Sequence, residues 1–318
     1  MKKSKITLRL ALLFIAVFLV SALATVKLTG SAPQRLLRTD YYGTILKDQL
    51  YDTVIGYGYD LYLPENVDTT LPQKLILFIH GGSFNSGSKE DGEAWCKYYA
   101  SYGYIAATLD YSLQKKDANA DLLQMNREIA ECVAAIKQNC TDLGYDVDEM
   151  AVCGVSAGGT LAMNYAYSSA VTSAISVRFV FQLAGPADFK PDDWEVLIRT
   201  NKWDGAKEFV QQMTGIAVTD EQMVNGDYEP YIDAISPARL VDENSVPTLC
   251  GYGLKDHLVP ASSRELLVTA LEENGVSYDY LPFPNSNHGM YADLDVLQEF
   301  LDLSLKYCMR YFSNVKKQ

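Results

Sequence analysis

Histidine is scarce in this chain, with three among 318 residues, and none of the six cysteines forms a Cys-x-x-Cys pair. Structural zinc sites and dithiol redox motifs are built from closely spaced groups of these residues. The sequence therefore does not support a zinc or redox protein. Because histidine is scarce, a reaction that needs a histidine base has only three candidates in this chain.

Positively charged residues are also fewer than negatively charged ones. Lys and Arg number 27 against 40 Asp and Glu, which gives a formal net charge of −13. Such an acidic surface repels the phosphate backbone of nucleic acids, so we expect no nucleic-acid partner. The hydrophobic fraction of 48 % is ordinary for a globular protein, and 318 residues suffice for one large α/β domain with insertions.

Long apolar runs are missing except near the N-terminus. A basic start precedes the run Leu10–Val20, and Ala22 and Ala24 then supply the small-x-small pattern of a signal-peptidase site. These three features together are typical of a secretory signal peptide over residues 1–24.

The same N-terminal segment allows a second interpretation. Extended to Val26, the uncharged run approaches the lower limit of a membrane span, so an uncleaved anchor remains open. A buried core helix is disfavoured because the run is not amphipathic. Both main interpretations place the body outside the cytoplasm, secreted or tethered, with the N-terminus engaging secretion machinery or membrane. Residues 25–40 are then predicted to be a spacer.

Short apolar runs alternate with helical patterns over residues 41–318, which predicts an α/β domain. Parallel strands joined by crossover helices give this alternation, and strands apolar on consecutive positions indicate a sheet covered by helices on both faces. Tyrosine-rich runs over 41–63 are compatible with antiparallel strands at the sheet edge. Cys153 and Cys250 fall in such strands and are interpreted as core residues. The predicted strands are 74–79, 104–109, 150–153, 177–183, 247–252 and 277–281, and the predicted helices are about 90–101, 119–140, 157–169, 261–274 and 293–311.

Residues 188–245 interrupt this alternation, with helical fragments but no clear strand. We interpret the segment as a small cap over the carboxyl edge of the sheet, while a long ordinary crossover remains the alternative. Its Trp194 and Trp203 could line a substrate site, although aromatic residues in a cap more often belong to its core.

A nucleophile motif follows one of the predicted strands. In Gly154-Val155-Ser156-Ala157-Gly158, a strand ends and a helix begins, and small residues permit the sharp turn that exposes the Ser156 hydroxyl. The helix N-terminus offers free N–H groups to a developing oxyanion. Placed between a strand and a helix, this motif indicates a catalytic serine.

A serine nucleophile needs a base, and only one histidine is suitably placed. In strand–turn–helix hydrolases the order along the chain is nucleophile, acid and histidine. His288 alone lies late enough, on a loop after the last predicted strand. His80 ends an early strand and is interpreted as ordering its loop, with a substrate-facing role left open. His257 directly follows Asp256.

The acid is expected on the loop after the preceding strand. Asp256 lies there, one helix and one strand before His288, where a buried carboxylate could fix the histidine tautomer. Asp279 is a weaker candidate because it falls within a predicted strand. For the oxyanion hole we predict backbone N–H groups of Gly81, Gly82 and Ala157.

These motifs together resemble those of α/β-hydrolase esterases. His80-Gly-Gly-Ser83, Asp110-Tyr111, Gly154-x-Ser-x-Gly-Gly159, Gly253-x-x-Asp256 and Asn287-His-Gly289 occur in the order of that family. The branch containing hormone-sensitive-lipase-like enzymes and bacterial feruloyl or acetyl-xylan esterase-like proteins is the most similar, over about residues 50–310. A serine at position 83, where lipase-like members have a third glycine, points to the feruloyl-esterase-like side.

The resemblance implies hydrolysis of carboxylic esters through an acyl-enzyme, without metal or organic cofactor. We expect a small-molecule or glycan-linked ester as substrate. A peptidase or amidase of the same fold and a non-catalytic surface binding protein on a hydrolase scaffold are the alternatives.

Overall fold

A computed structural model of the protein describes residues 35–54, 56–114, 116–117, 120–194 and 202–313. The predicted signal peptide or anchor lies outside these residues, and so does the side chain of Trp203. No helix among the described residues is long and apolar enough to cross a membrane.

The strands and helices alternate as the sequence predicts. The strands are β1 (Thr44–Leu50), β2 (Gly58–Leu63), β3 (Gln73–Ile79), β4 (Ile105–Leu109), β5 (Val147–Val155), β6 (Ser176–Leu183), β7 (Thr248–Gly253) and β8 (Tyr278–Phe283). The helices are α1 (Glu93–Ser101), α2 (Leu122–Asp142), α3 (Ala157–Ser168), α4 (Lys202–Thr214), α5 (Asp220–Asn225), α6 (Glu229–Asp233), α7 (Pro237–Leu240), α8 (Ala261–Glu273) and α9 (Leu294–Tyr311).

One eight-stranded sheet organises the chain, in the order β1-β2-β4-β3-β5-β6-β7-β8. β1, β2 and β4 pair antiparallel, whereas every pair from β4 to β8 is parallel. Apolar clusters cover both faces, so the central strands are buried on both sides. The predicted α/β-hydrolase architecture, including the antiparallel edge, is confirmed. In a parallel sheet the carboxyl ends of the strands share one edge, where the site described below lies.

The N-terminal boundary of the packed domain differs from the predicted one. Residues 35–37 form a helical turn, and Leu37 is only 4 % exposed. It belongs to the apolar cluster that also contains Phe78 and Leu301, with Leu36 packed against the same cluster. Part of the predicted spacer 25–40 is thus packed into the domain, because burying these two leucines removes apolar surface from water.

The described part of the segment between β6 and β7 is helical. Its described residues form a 3₁₀ turn at Pro191–Trp194 and helices α4 to α7, without a strand among them. The amide of Ala238 donates to the Ala187 carbonyl at 2.8 Å, which ties the end of the segment to its start. This arrangement agrees with a helical cap that also serves as the crossover to β7.

All six cysteines are buried and free. Cys132 and Cys140 lie on α2, where eight residues of helix hold them about 12 Å apart, beyond disulfide reach. Cys153 on β5 and Cys250 on β7 are core residues, as predicted.

Candidate active site

Ser156 lies on a strained turn between β5 and α3. Its backbone has φ 57° and ψ −127°, a region that residues with side chains seldom adopt. The amide of Ser156 donates to the Leu183 carbonyl at 2.8 Å, which anchors the turn to β6. Strain of this kind persists where surrounding structure fixes the backbone, and it marks functional turns.

The glycines on both sides of Ser156 are required by packing. A Cβ on Gly158 would lie 2.0 Å from the Ile79 carbonyl oxygen, and one on Gly154 would lie 2.3 Å from the Gly158 carbonyl oxygen. Real Cβ atoms do not approach backbone oxygens this closely. The small residues of the motif therefore let α3 pack directly against β3 and β5, as predicted for a sharp turn.

The structure brings Ser156, His288 and Asp256 together in one hydrogen-bonded series. His288 Nε2 lies 2.8 Å from Ser156 Oγ, and His288 Nδ1 lies 2.7 Å from Asp256 Oδ2. The Asp256 side chain is 3 % exposed and that of His288 is 23 % exposed, so the series runs from the interior towards the surface. Such an arrangement can remove a proton from the serine hydroxyl.

Asp256 is held as a carboxylate by several donors. Its Oδ1 accepts hydrogen bonds from the amides of Leu258 at 2.8 Å and Val259 at 3.2 Å. Burial alone would raise the pKa of Asp256, but the hydrogen bond and charge of His288 and these two amides outweigh it and lower the pKa. The carboxylate is thus ionised at neutral pH and oriented towards His288.

Asp279, the weaker candidate for the acid, has a different hydrogen-bond partner. Asp279 lies within β8, and its Oδ2 accepts a hydrogen bond from the Tyr307 hydroxyl at 2.8 Å. It is therefore part of the packing between β8 and α9.

The other two histidines take different positions. His80 is 1 % exposed, its ring stacks on Tyr111 with centroids 4.2 Å apart, and its Nδ1 lies 2.7 Å from the Gly81 carbonyl. Burial lowers its pKa, which favours the neutral ring. A Cβ on Gly87 would lie 2.5 Å from His80 Nδ1, so the ring packs inside the turn of its own loop. This geometry supports the loop-ordering role; His257 is exposed.

The loop after β3 passes beside the nucleophile. A Cβ on Gly81 would lie 3.3 Å from Ser156 Cβ. Gly82 has φ 114°, and its carbonyl accepts from the amides of Asn85 at 3.0 Å and Ser86 at 3.1 Å, which closes a tight turn. Ala157 begins α3, where the first N–H groups have no partner within the helix. The residues predicted for an oxyanion hole thus surround Ser156, and their role stays a prediction.

A residue that the sequence analysis missed holds the His288 loop. Asp293 is 4 % exposed and accepts hydrogen bonds from the Ser286 hydroxyl at 2.7 Å and from the Asn285 amide at 2.9 Å. The Ser286 hydroxyl also accepts from the Ala292 amide at 3.1 Å. These bonds fold residues 285–293 back on themselves. The available signal was an aspartate directly before α9, at the usual position of a helix N-cap.

Two cavities meet at Ser156. The first, here called the α1–α9 cavity, has a volume of about 520 Å³, and the second, here called the cap cavity, has about 460 Å³. Both are lined by Ser83, Ser156, Leu258 and His288. A molecule with two parts joined at a central reactive bond could therefore place one part in each cavity.

The cap contributes aromatic side chains to the wall of the cap cavity. Trp194 stacks on Phe189 at 5.6 Å and on Phe209 at 5.9 Å, the two phenylalanines also contact each other at 6.4 Å, and all three rings border the cavity. The Trp194 indole donates to the Asp188 carbonyl at 3.0 Å. Trp194 is thus both a core residue of the cap and a cavity wall. Among the described residues, no cluster of His, Cys, Asp or Glu is arranged to hold a metal ion.

Comparison with known proteins agrees with this geometry. The BD-FAE family model matches residues 59–271. Gut esterase 1 of Caenorhabditis briggsae is 25 % identical over 315 residues, covering 88 % of this chain and 53 % of that protein. Esterase LipC of Mycobacterium tuberculosis is 25 % identical over 230 residues, covering 69 % of this chain and 54 % of that protein. The chain thus spans about half the length of these relatives.

Solved structures show the same fold. A butyrate-bound esterase from Thermogutta terrifontis aligns with a TM-score of 0.66 and 19 % identity, covering 86 % of this chain and 96 % of that one. A truncated carbohydrate esterase from gut microbiota aligns with a TM-score of 0.67 and 17 % identity, covering 86 % and 99 %. The resemblance to α/β-hydrolase esterases inferred from the motifs is confirmed.

Proposed function

The chain belongs to the BD-FAE family, and from this premise we propose that it is a serine carboxylesterase. The observation that carries the proposal is the hydrogen-bonded series from Asp256 through His288 to Ser156. The named esterases among its relatives support the same reaction class.

In the proposed mechanism, Ser156 Oγ attacks the ester carbonyl carbon while His288 Nε2 takes the hydroxyl proton. Asp256 accepts the Nδ1–H hydrogen bond and stabilises the imidazolium that forms. The carbonyl oxygen becomes an oxyanion, for which the N–H groups of Gly81, Gly82 and Ala157 are the candidate donors. His288 then gives its proton to the leaving alcohol oxygen, and the ester bond breaks.

The second half of the reaction repeats these steps with water. His288 removes a proton from water, the resulting hydroxide attacks the acyl carbon, and the proton returns to Ser156 Oγ as the acid leaves. The substrate is a small-molecule or glycan-linked ester, and the chain's own residues supply every proton transfer in the scheme.

Hydrolysis of short p-nitrophenyl esters by the Ser156→Ala variant tests this proposal. We expect kcat to fall by about 10⁶, as when a catalytic serine is removed from a Ser-His-Asp enzyme. Ser169→Ala, at the other end of α3, is the matched control and should keep normal activity. Equal activity of Ser156→Ala and the parent protein would rule the mechanism out.

The same assay separates the peptidase or amidase alternative. Acetyl and butyryl esters, acetylated xylan, feruloyl esters and aminoacyl amides are compared on one preparation. The carboxylesterase proposal requires that esters are cleaved and aminoacyl amides are not. Cleavage of the amides would favour the peptidase or amidase alternative, since such an enzyme also hydrolyses esters, whose alkoxide is the better leaving group.

We also propose that the body acts outside the cytoplasm, secreted or tethered by residues 1–24. The basic start, the run Leu10–Val20 and the small residues Ala22 and Ala24 support this. Fractionation of cells expressing the full chain should recover esterase outside the cytoplasm, and deletion of residues 1–24 should retain it inside. Cytoplasmic recovery of the full chain would contradict the proposal.

A further inference from the structure

The wall of the α1–α9 cavity includes a residue from outside the family domain. Leu37 borders this cavity, yet it precedes residues 59–271 matched by the family model. It is 4 % exposed and shares an apolar cluster with Phe78, Leu297 and Leu301, which border the same cavity. Leu37 therefore contributes to a wall that the N-terminal segment shares with side chains of β3 and α9.

The lining of this cavity indicates what it can hold. Aliphatic and aromatic side chains form most of it, and Asp91 is the carboxylate among its described lining residues. Such a surface favours an apolar group by removing it from water and disfavours an anionic one. Its apolar lining residues are Leu37, Phe78, Trp95, Val155, Leu183, Leu258, Met290, Tyr291, Leu297 and Leu301.

The position of His288 indicates which half of the ester enters this cavity. In the proposed function, on which this inference rests, His288 protonates the leaving alcohol oxygen. The α1–α9 cavity is lined by His288 together with Gly289, Met290 and Tyr291, which follow it. The cap cavity shares only His288 of that loop. The alcohol half therefore lies towards the α1–α9 cavity, and the acyl half lies against the cap.

We propose that Leu37 is a specificity-determining residue that selects esters of bulky, uncharged apolar alcohols. Its side chain forms part of the apolar wall with Phe78, Leu297 and Leu301, and contacts the far part of the alcohol group. A small alcohol such as methanol does not reach it.

Two substrate series measured on the full chain test the proposal. The alcohol series compares 1-naphthyl, benzyl and methyl acetates, and the acyl series compares p-nitrophenyl acetate, butyrate and hexanoate. In Leu37→Trp, the added ring fills the cavity, so the ratio of kcat/KM for 1-naphthyl over methyl acetate should fall by about 10- to 200-fold. Ratios within the acyl series should stay within about twofold of the parent protein.

A second variant and a matched control distinguish a change in selectivity from the effect of misfolding. Leu37→Ala removes contacts from the naphthyl ring but not from a methyl group, so the same ratio should fall by about 10-fold. Leu36→Ala truncates the neighbouring leucine, which packs on the same cluster without bordering the cavity, and should leave both series unchanged. Thermal unfolding of each variant identifies one that does not fold.

Hydrolysis of the acetyl-enzyme gives a readout that a purely structural role would not produce. The alcohol has already left at that stage, so its rate should be the same in the parent and the Leu37 variants. A changed acyl series, or an unchanged alcohol series in both folded variants, would overturn the inference. Activity that persists in Ser156→Ala would instead overturn the proposed function, so the two failures are distinguishable.

Discussion

The loops at the carboxyl edge of the sheet and the helical cap that covers them are held in place by different forces. Ser156, Asp256 and His288 each follow a strand whose backbone is hydrogen-bonded into the sheet. The cap is held largely by side chains, such as the ion pair of Arg239 with the buried Asp188 at 2.6 Å, together with the main-chain bond from Ala238 to Ala187. Main-chain pairing, supplemented by the Asp293 side chain at the His288 loop, holds the proposed reacting groups for any substrate, whereas the contacts of the cap shape one cavity wall.

This difference has a consequence for mutations. Changes at the sheet edge should lower the rate for all esters alike, because they alter the reacting groups. Changes in the cap should mainly alter the preference between esters.

Among substitutions that leave Ser156 and His288 in place, replacing the buried acid should give the largest loss of kcat. In Asp256→Asn the hydrogen bond to His288 Nδ1 favours the wrong tautomer, and kcat should fall by about 10⁴ for every ester tested. Asp279→Asn, which changes an aspartate bonded to Tyr307 instead, is the control and should retain most activity. A greater loss in Asp279→Asn than in Asp256→Asn would contradict the assignment of the acid.

Altering the loop beside the nucleophile should give the next largest loss. In Gly82→Ala, a side chain is forced onto φ 114°, and its Cβ would lie 2.0 Å from the Ser86 carbonyl oxygen. The loop must shift, so a misplaced oxyanion donor should cost about 10²- to 10³-fold in kcat. Gly103→Ala also has positive φ, at 88°, but nothing within 4 Å, and should not affect kcat. Equal losses of kcat in Gly82→Ala and Gly103→Ala would mean that the strain of a positive φ lowers the rate, and not the displacement of the loop beside Ser156.

Truncation in the cap should change selectivity more than rate. In Trp194→Ala, the ring that stacks on Phe189 and Phe209 is lost from the cavity wall, and ratios within the acyl series should change by about 10-fold. Hydrolysis of the acetyl ester itself should change little. Trp95→Ala, which enlarges the α1–α9 cavity, is the counterpart and should alter the alcohol series instead. A uniform loss of kcat/KM over all esters in Trp194→Ala would contradict the proposed difference between the sheet-edge loops and the cap.

The smallest expected effect is on acid stability. The pKa of Asp256 is lowered below 3.8 in the folded protein, so near that pH the unfolded chain binds more protons. Its stabilising contribution is present above the ordinary pKa and is lost as pH falls through the lowered value. Urea unfolding between pH 6 and 3 should therefore show a shallower acid decline in Asp256→Asn, and an identical slope would contradict this.

The sequence predicted the sheet and its edge loops well because their signals are local. The consecutive apolar residues of β5, followed by the glycines around Ser156, specify a buried strand and a sharp turn within a few positions. The order of the motifs then singled out His288 and Asp256, whose side chains lie within hydrogen-bond distance as expected.

The features that the sequence did not reveal depend on contacts between distant segments. Leu37 is one apolar residue in a segment without periodicity, and its burial follows from the cluster that it forms with Phe78, Leu297 and Leu301, which are distant in sequence. In the sequence, Asp293 resembles an ordinary helix cap. Its role in holding the His288 loop depends on Ser286 and Asn285, which donate hydrogen bonds to it in the structure. The stacking of Trp194 in the cap likewise follows from the packing of side chains from several short helices.

Labelling with a fluorophosphonate probe tests the central claim, the nucleophilic role of Ser156, most directly. The account predicts one phosphonyl group per molecule, located on the Ser156 peptide by mass spectrometry and absent in Ser156→Ala. Labelling should slow by orders of magnitude in His288→Ala, because the base that activates the hydroxyl is removed. An adduct on another serine, or no adduct on a protein that hydrolyses esters, would contradict the account.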